Sequence, residues 1–127
     1  MEQGKLLFRN FFPVWPVSAN HSWGRQGKKT FLSHETIAFR NEIEAELYVA
    51  SYQNKFRGPY PGRVSLFLAF YGPDKRRRDI ANLEKQICDA FTQSGVWIDD
   101  SQIDKLTLVR CESVGKDCGF YAEVRAL

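Results

Sequence analysis

The chain has 127 residues, 43% of them hydrophobic, and its 18 Lys and Arg against 15 Asp and Glu leave a net charge of +3. This length suits a single domain over 1–127 with a real core, and no apolar run approaches the roughly 18 residues of a transmembrane helix. Cys88, Cys111 and Cys118 show no CxxC spacing and only His21 and His34 accompany them, which argues against zinc and for a reduced, cytoplasmic protein without a signal peptide.

Aromatic residues and Leu over 6–12 predict a short strand. The stretch PVWPVSANHSWGRQGKKTFLS is broken by Pro, Gly and polar residues, and reads as a long loop with a short hairpin closing at Lys28–Leu32. Loops of that length in a small domain are often functional. Asn20, His21, Trp23, Arg25, Lys28 and Lys29 offer donors, cations and a stacking surface suited to nucleic acid. A solvated loop with Trp23 on the core accounts for them equally well. Ser33 reads as an N-cap for a helix over 34–53, with Ile37, Phe39, Ile43, Leu47 and Ala50 at near-helical spacing. FRGPYPG ends it.

Val64–Tyr71, VSLFLAFY, predicts a strand inside the sheet. Gly72–Pro73 stops it, and four cations, Lys75 to Arg78, then run directly into Asp79. From there Ile80, Leu83, Ile87, Ala90 and Phe91 share one helical face, while Asp79, Asn82, Gln86 and Asp89 gather on another beside Lys85. The helix stops near Ser94–Gly95, and Val96–Ile98 leads into Asp99–Asp100. Leu106–Glu112 and Gly119–Val124 read as two strands of a hairpin around SVGKDCG. Together these elements predict an α+β fold, one mixed β-sheet with two main helices packed on it.

Phosphodiester chemistry needs this mixture: cations hold the phosphates, and carboxylates hold a divalent metal that activates water. Each feature also has a plain structural reading. Asp79 is a natural N-cap, Asp89 a solvated helix residue, Asp99–Asp100 a polar turn, and the cation run a solvated loop. Their combination favours a hard ion such as Mg²⁺, which needs one or two carboxylates plus water and phosphate. Lys85 would hold phosphate or offset developing charge.

The order PVSAN, a Ser-capped helix, KRRRD-x-x-NLEKQICDAF and then GVWIDDSQI resembles the RusA family of Holliday junction resolvases, over about Pro16 to Ile103. The corresponding family segment reads RRD-x-D-N-L-x-K-x-x-x-D-A. The resemblance implies a RusA-like fold and a crossover junction endodeoxyribonuclease, encoded by a bacterium or phage, acting in recombination and repair. It implies a homodimer that nicks a four-way DNA junction symmetrically, with Mg²⁺ (or Mn²⁺) as cofactor. A C₂ dimer presents two sites to two related strands.

By the same resemblance, Asp79 matches the first metal-binding aspartate, Lys85 the catalytic lysine and Asp100 the late carboxylate, with Asp99 its neighbouring candidate ligand. Asn82, Asp89 and Ser18 would support the site. Lys75, Arg76, Arg77 and Arg78, with Asn20, Arg25, Lys28 and Lys29, would contact DNA. Ala81 departs from the pattern, standing where the second aspartate belongs. Were residues 79–81 extended, side chains 79 and 81 would share a face, and a carboxylate at 81 would aim with Asp79 at one ion. Alanine ligates nothing. Three explanations stay open: an engineered Asp→Ala change, a natural reduced ligand set filled by Asp99, Asp89 or water, and a DNA-binding protein that has lost cleavage.

Overall fold

A computed structural model describes residues 4–16, 23–26, 29–76 and 78–127, with the backbone alone for 23–26 and 29–32. Strand β4 (Val64–Tyr71) sets the architecture because it is apolar on both sides. Val64, Leu66, Leu68 and Phe70 are buried on one face, and Phe67, Ala69 and Tyr71 are buried or partly covered on the other. Such a strand belongs inside a sheet. It lies there, in the order β1-β6-β4-β5, with β1 at Leu6–Phe12, β5 at Ile103–Arg110 and β6 at Gly119–Ala126. β5 pairs with β4 in parallel, while β6 pairs antiparallel with both β4 and β1.

Helices α1 (His34–Asn54) and α2 (Ile80–Gln93) pack against each other, α1 also against β1 and α2 against β5. The expected α+β fold, a mixed sheet carrying two main helices, is therefore what forms. The core lies between that layer and the sheet, where Phe12 stacks on Phe120 at 4.8 Å and Phe91 meets Phe8, Phe12 and Trp97. Strands β2 (Trp23–Gln26) and β3 (Lys29–Leu32) form a separate antiparallel hairpin, close to the one expected. Among the described residues, no helix is long and apolar enough to cross a membrane.

Three expectations need correction. The last two strands do not form a hairpin, because β4 runs between them and takes both as partners. Adjacency in the chain favoured β5 with β6; the demand of β4 for two covered edges outweighs it. Strand β5 also begins at Ile103, not Leu106, since Ile103 already pairs with Val64. In α1, Ile37 is 45% exposed and Thr36 is fully buried in its place. The cap decides this. Ser33 Oγ accepts from the Thr36 N–H at 3.2 Å and lies 2.9 Å from the Thr36 hydroxyl. That turns Thr36 inward and leaves its neighbour, about 100° further round the helix, facing water.

The route from α2 back to β5 positions the functional residues. Gly95, at φ +84°, ends the helix. Trp97 is then buried, Asp99 caps a single 3₁₀ turn over Asp100–Gln102, and β5 follows. Gln102 is buried, and its amide serves four backbone groups. Nε2 donates to the carbonyls of Tyr60 (2.7 Å) and Gly62 (2.8 Å), and Oε1 accepts from the N–H groups of Ile98 (2.7 Å) and Asp99 (2.9 Å).

Replacing Gln102 with the similarly sized Leu leaves those groups without partners, at roughly 1–3 kcal/mol for each one kept from water. Gln102→Leu is expected to lower stability by about 3 kcal/mol and the thermal midpoint by about 10 °C. An unchanged midpoint in a calorimetric scan would show that water replaces the amide at no cost.

Candidate active site and nucleic-acid interface

Helix α2 carries the candidate groups at two levels. At its start, Asp79 is the extended N-cap (φ −82°, ψ 108°), and its Oδ1 accepts from the Ala81 N–H at 3.0 Å. The helix begins at Ile80, so residues 79–81 do not run extended and the shared face expected of 79 and 81 does not arise. Ala81 sits exposed in the first turn. Asn82 donates its backbone N–H to the Asp79 carbonyl.

Two turns on, Lys85 Nζ lies 2.9 Å from Asp89 Oδ1 and 3.5 Å from Asp100 Oδ2. The other oxygen of Asp100 accepts from the Thr92 hydroxyl and, at 3.3 Å, from the Trp97 indole N–H, which also reaches Thr92 Oγ1 at 2.6 Å. Arg40, from α1, closes the far side with Nη1 on Gln93 Oε1 at 2.9 Å and Nη2 3.8 Å from Asp89. Arg40, Lys85, Asp89, Thr92, Gln93, Asp99 and Asp100 line an open depression of about 390 Å³.

The structure thus brings Lys85, Asp89, Asp99 and Asp100 together. Asp79 does not line the depression; it is six residues from Lys85, about 9 Å along the helix axis. Its carboxylate is held by the cap. Among the described residues, no group of three His, Cys, Asp or Glu side chains is arranged to hold a metal ion. The expected trio Asp79, Asp99 and Asp100 is therefore not one ligand set within the chain. The chemistry of the donors still suits a hard ion, because the carboxylates of the depression are all-oxygen donors and one or two suffice with water and phosphate.

The basic run is partly neutralised from within. Asp74, which the sequence reading passed over, pairs with Arg78 at 2.9 Å and Arg76 at 3.4 Å. The Arg78 hydrogen bond and then the Arg76 backbone N–H hold the Asp74 carboxyl well below the usual carboxylate range, at about 2. Arg78 also lies over the Trp15 ring, 5.6 Å from its centroid, and Arg110 donates to the Arg78 carbonyl. Lys75 and Arg76 are exposed. Ser18, Asn20, Lys28 and Arg77 lie outside the described residues, and Arg25 and Lys29 fall on the β2–β3 hairpin backbone.

Other titrations narrow the chemistry. Burial, and then the Glu84 hydrogen bond, push the Cys88 thiol far up, so it supplies no thiolate nucleophile. Hydrogen bonds from Ser101 lower Asp99, which stays a carboxylate. Sequence reasoning missed Arg40, Thr92, Trp97, Trp15 and Arg110 as site residues. Only Trp97 carried a usable signal, an indole two residues before paired acids.

A model of the family described as Endodeoxyribonuclease RusA matches residues 13–123. Curated relatives include "Crossover junction endodeoxyribonuclease RusA" of Shigella sonnei (strain Ss046) and of Escherichia coli (strain K12), each 31% identical over 96 residues, covering 76% of this chain and 77% of theirs. The "Crossover junction endodeoxyribonuclease rusA" of Enterobacteria phage 82 is 30% identical over the same shares.

The hydrogen bond to Asp89 is the main cause raising the Lys85 pKa above its ordinary 10.5, with Asp89 and Asp100 charge adding to it. A raised cationic pKa contributes stability in full below the unfolded value, and that contribution is lost as pH rises through the folded value. The bridge should therefore persist at neutral pH and fail only in strong alkali. An NMR titration of the Lys85 side chain is expected to give a midpoint above 10.5, falling back in Asp89→Asn. A midpoint at or below 10.5 in the unaltered chain would show that the ammonium is not held between the two carboxylates.

Proposed function

The chain belongs to the RusA family of endodeoxyribonucleases, and from that premise we propose that it resolves Holliday junctions by paired, symmetric, Mg²⁺-dependent nicks. The observation that carries the proposal is Lys85 held between Asp89 and Asp100 in an open depression, on the same helix that the basic loop enters. A site for phosphodiester cleavage needs a cation aimed at phosphate, carboxylates beside it, and outlying cations that hold the strand.

Each residue has a role that follows from its contacts. Lys85 is fully protonated at neutral pH, so it acts as a cation on the phosphate and not as a base. Asp89 and, behind it, Arg40 fix where that ammonium points. Asp100 has one oxygen spent on Thr92 and Trp97, which leaves the other directed at Lys85 and the depression. Asp100 and Asp99 would hold the metal, with water and phosphate in the remaining positions; Asp79 is left as the cap of α2. A bound Mg²⁺ would lower the pKa of a water and offset charge on the phosphate. Lys75 and Arg76 would grip the flanking backbone. The active form would be a homodimer, with one such site for each of the two nicked strands.

A second reading has its own support. Ala81 leaves the first turn of α2 without a carboxylate at that position, and among the described residues no three carboxylates are arranged to hold one metal ion. This favours a junction-binding protein with impaired cleavage.

Cleavage of an end-labelled four-way junction separates the two. The unaltered chain is expected to give paired nicks with Mg²⁺ and none with EDTA, and Lys85→Met and Asp100→Asn are each expected to cut at least 100-fold more slowly. Binding without nicks, with cutting restored in Ala81→Asp, would establish the second reading. Nicking that survives EDTA would end the metal proposal.

A further inference from the structure

A second concavity lies apart from the acidic depression and shares no lining residue with it. Its volume is about 500 Å³, within the roughly 300–1,000 Å³ of small-ligand clefts. It opens beyond the carboxyl ends of the parallel strands β4 and β5, where the crevices of open α/β sheets take their ligands. Arg110 is opposite Phe70 in the register and so faces the helix side, where it reaches the Arg78 carbonyl. Trp15 forms the aromatic wall, its indole nearly perpendicular to the Phe70 ring and with Arg78 over one face. Glu112 and Ser113 complete the polar side.

The charges are unequal. Among the described residues, Lys75, Arg76, Arg78 and Arg110 line the cleft against the two acids Asp74 and Glu112. Asp74 is already paired with Arg76 and Arg78. Among the described residues Lys75 and Arg110 form no ion pair, so both remain available to an anion. A phosphate alone is satisfied on an open surface and needs neither this volume nor an indole wall. A nucleotide uses all three features: base against the ring, phosphate on the free cations, base edge toward Glu112 and Ser113. Bases inside a duplex are not accessible, so the nucleotide must leave its stack, which costs least where pairing or stacking is already interrupted. The branch point of a four-way junction is such a place.

We infer that this cleft takes one unstacked nucleotide from the branch point, its base on Trp15 and its phosphate on Arg110 and Lys75; the inference rests on the junction reading above. The cleft then senses the branch, while the depression on α2 carries the cleavage chemistry.

The test is a binding cycle in EDTA, so that no cutting intervenes. The unaltered chain and Trp15→Ala are titrated against an intact junction and against junctions with a single abasic nucleotide stepped through the positions around the branch. Trp15→Ala is expected to bind the intact junction about tenfold more weakly. One abasic position should weaken the unaltered chain by a similar factor and Trp15→Ala by no more than twofold, the mark of coupling between ring and base. Arg110→Gln, at an exposed residue, is the second variant; it should weaken binding and reduce the salt slope by about one. Losses that multiply at every abasic position, or no sensitive position at all, would overturn the inference. If the unaltered chain prefers no junction over duplex of the same sequence, the junction reading itself fails. If it binds and cuts junctions while the cycle shows no coupling, only the nucleotide cleft falls.

Discussion

One buried amide fixes where the acidic turn stands. Gln102 joins the carbonyls of Tyr60 and Gly62 to the N–H groups of Ile98 and Asp99, so the segment after α1 and the segment after α2 become a single support. Backbone groups this far from water must find partners, and a side-chain amide with two donors and an acceptor of two lone pairs can satisfy four at once. Asp99 completes the turn by capping it. With the turn held, Asp100 has one oxygen committed to Thr92 and the Trp97 indole, and the other can only face Lys85. A preorganised carboxylate loses nothing to reorientation when charge develops beside it.

Helix α2 then keeps unlike charges apart. Its N-terminal end receives the cation run and its middle carries Lys85 and Asp89, and about two turns of rigid helix separate the run from them. On a flexible segment, four cations beside the acidic turn would collapse into ion pairs with it. Here Asp74 provides a local counter-charge for Arg76 and Arg78, and the carboxylates of the turn are left to Lys85. The same helix buries Leu83, Ile87, Ala90 and Phe91, so its orientation is set by the core and not by the charges it displays.

Much of this fold is legible in the sequence because the signals are local. The Ser33 cap, the apolar β4 and the close of α2 near Ser94–Gly95 each follow from adjacent residues. The errors arise where a distant partner decides. Strands β5 and β6 read as a hairpin because they are neighbours in the chain, and nothing local reports that β4 needs both. Ile37 reads as core until the Ser33–Thr36 contact rotates the helix. The stripe that places Gln86 with Asp79 and Asp89 is likewise one position too wide, since Gln86 is buried. For the site, Lys85, Asp89, Asp99 and Asp100 emerge from spacing along one helix and one turn. Asp79 looks like a companion ligand for the same reason, yet its carboxylate caps the helix it begins. Arg40, Trp15 and Arg110 come from three other elements, and no spacing along the chain connects them to the site.

A net charge of +3 would give little hold on DNA by charge alone. Within the basic run, moreover, Arg78 is committed to Asp74 and Trp15. Affinity for uniform duplex scales with the number of phosphates neutralised, so each cation bound internally lowers non-specific binding along with its salt sensitivity. A protein that must find a rare branch among long stretches of duplex benefits from that restraint, because specificity is the ratio of the two affinities. The loss is acceptable only if something other than phosphate attraction distinguishes the branch. In this structure the candidates are concave surfaces, each with a few fixed polar groups, and both are built on the two ends of α2. Discrimination would therefore come from the shape DNA can adopt against them, with the charges setting register.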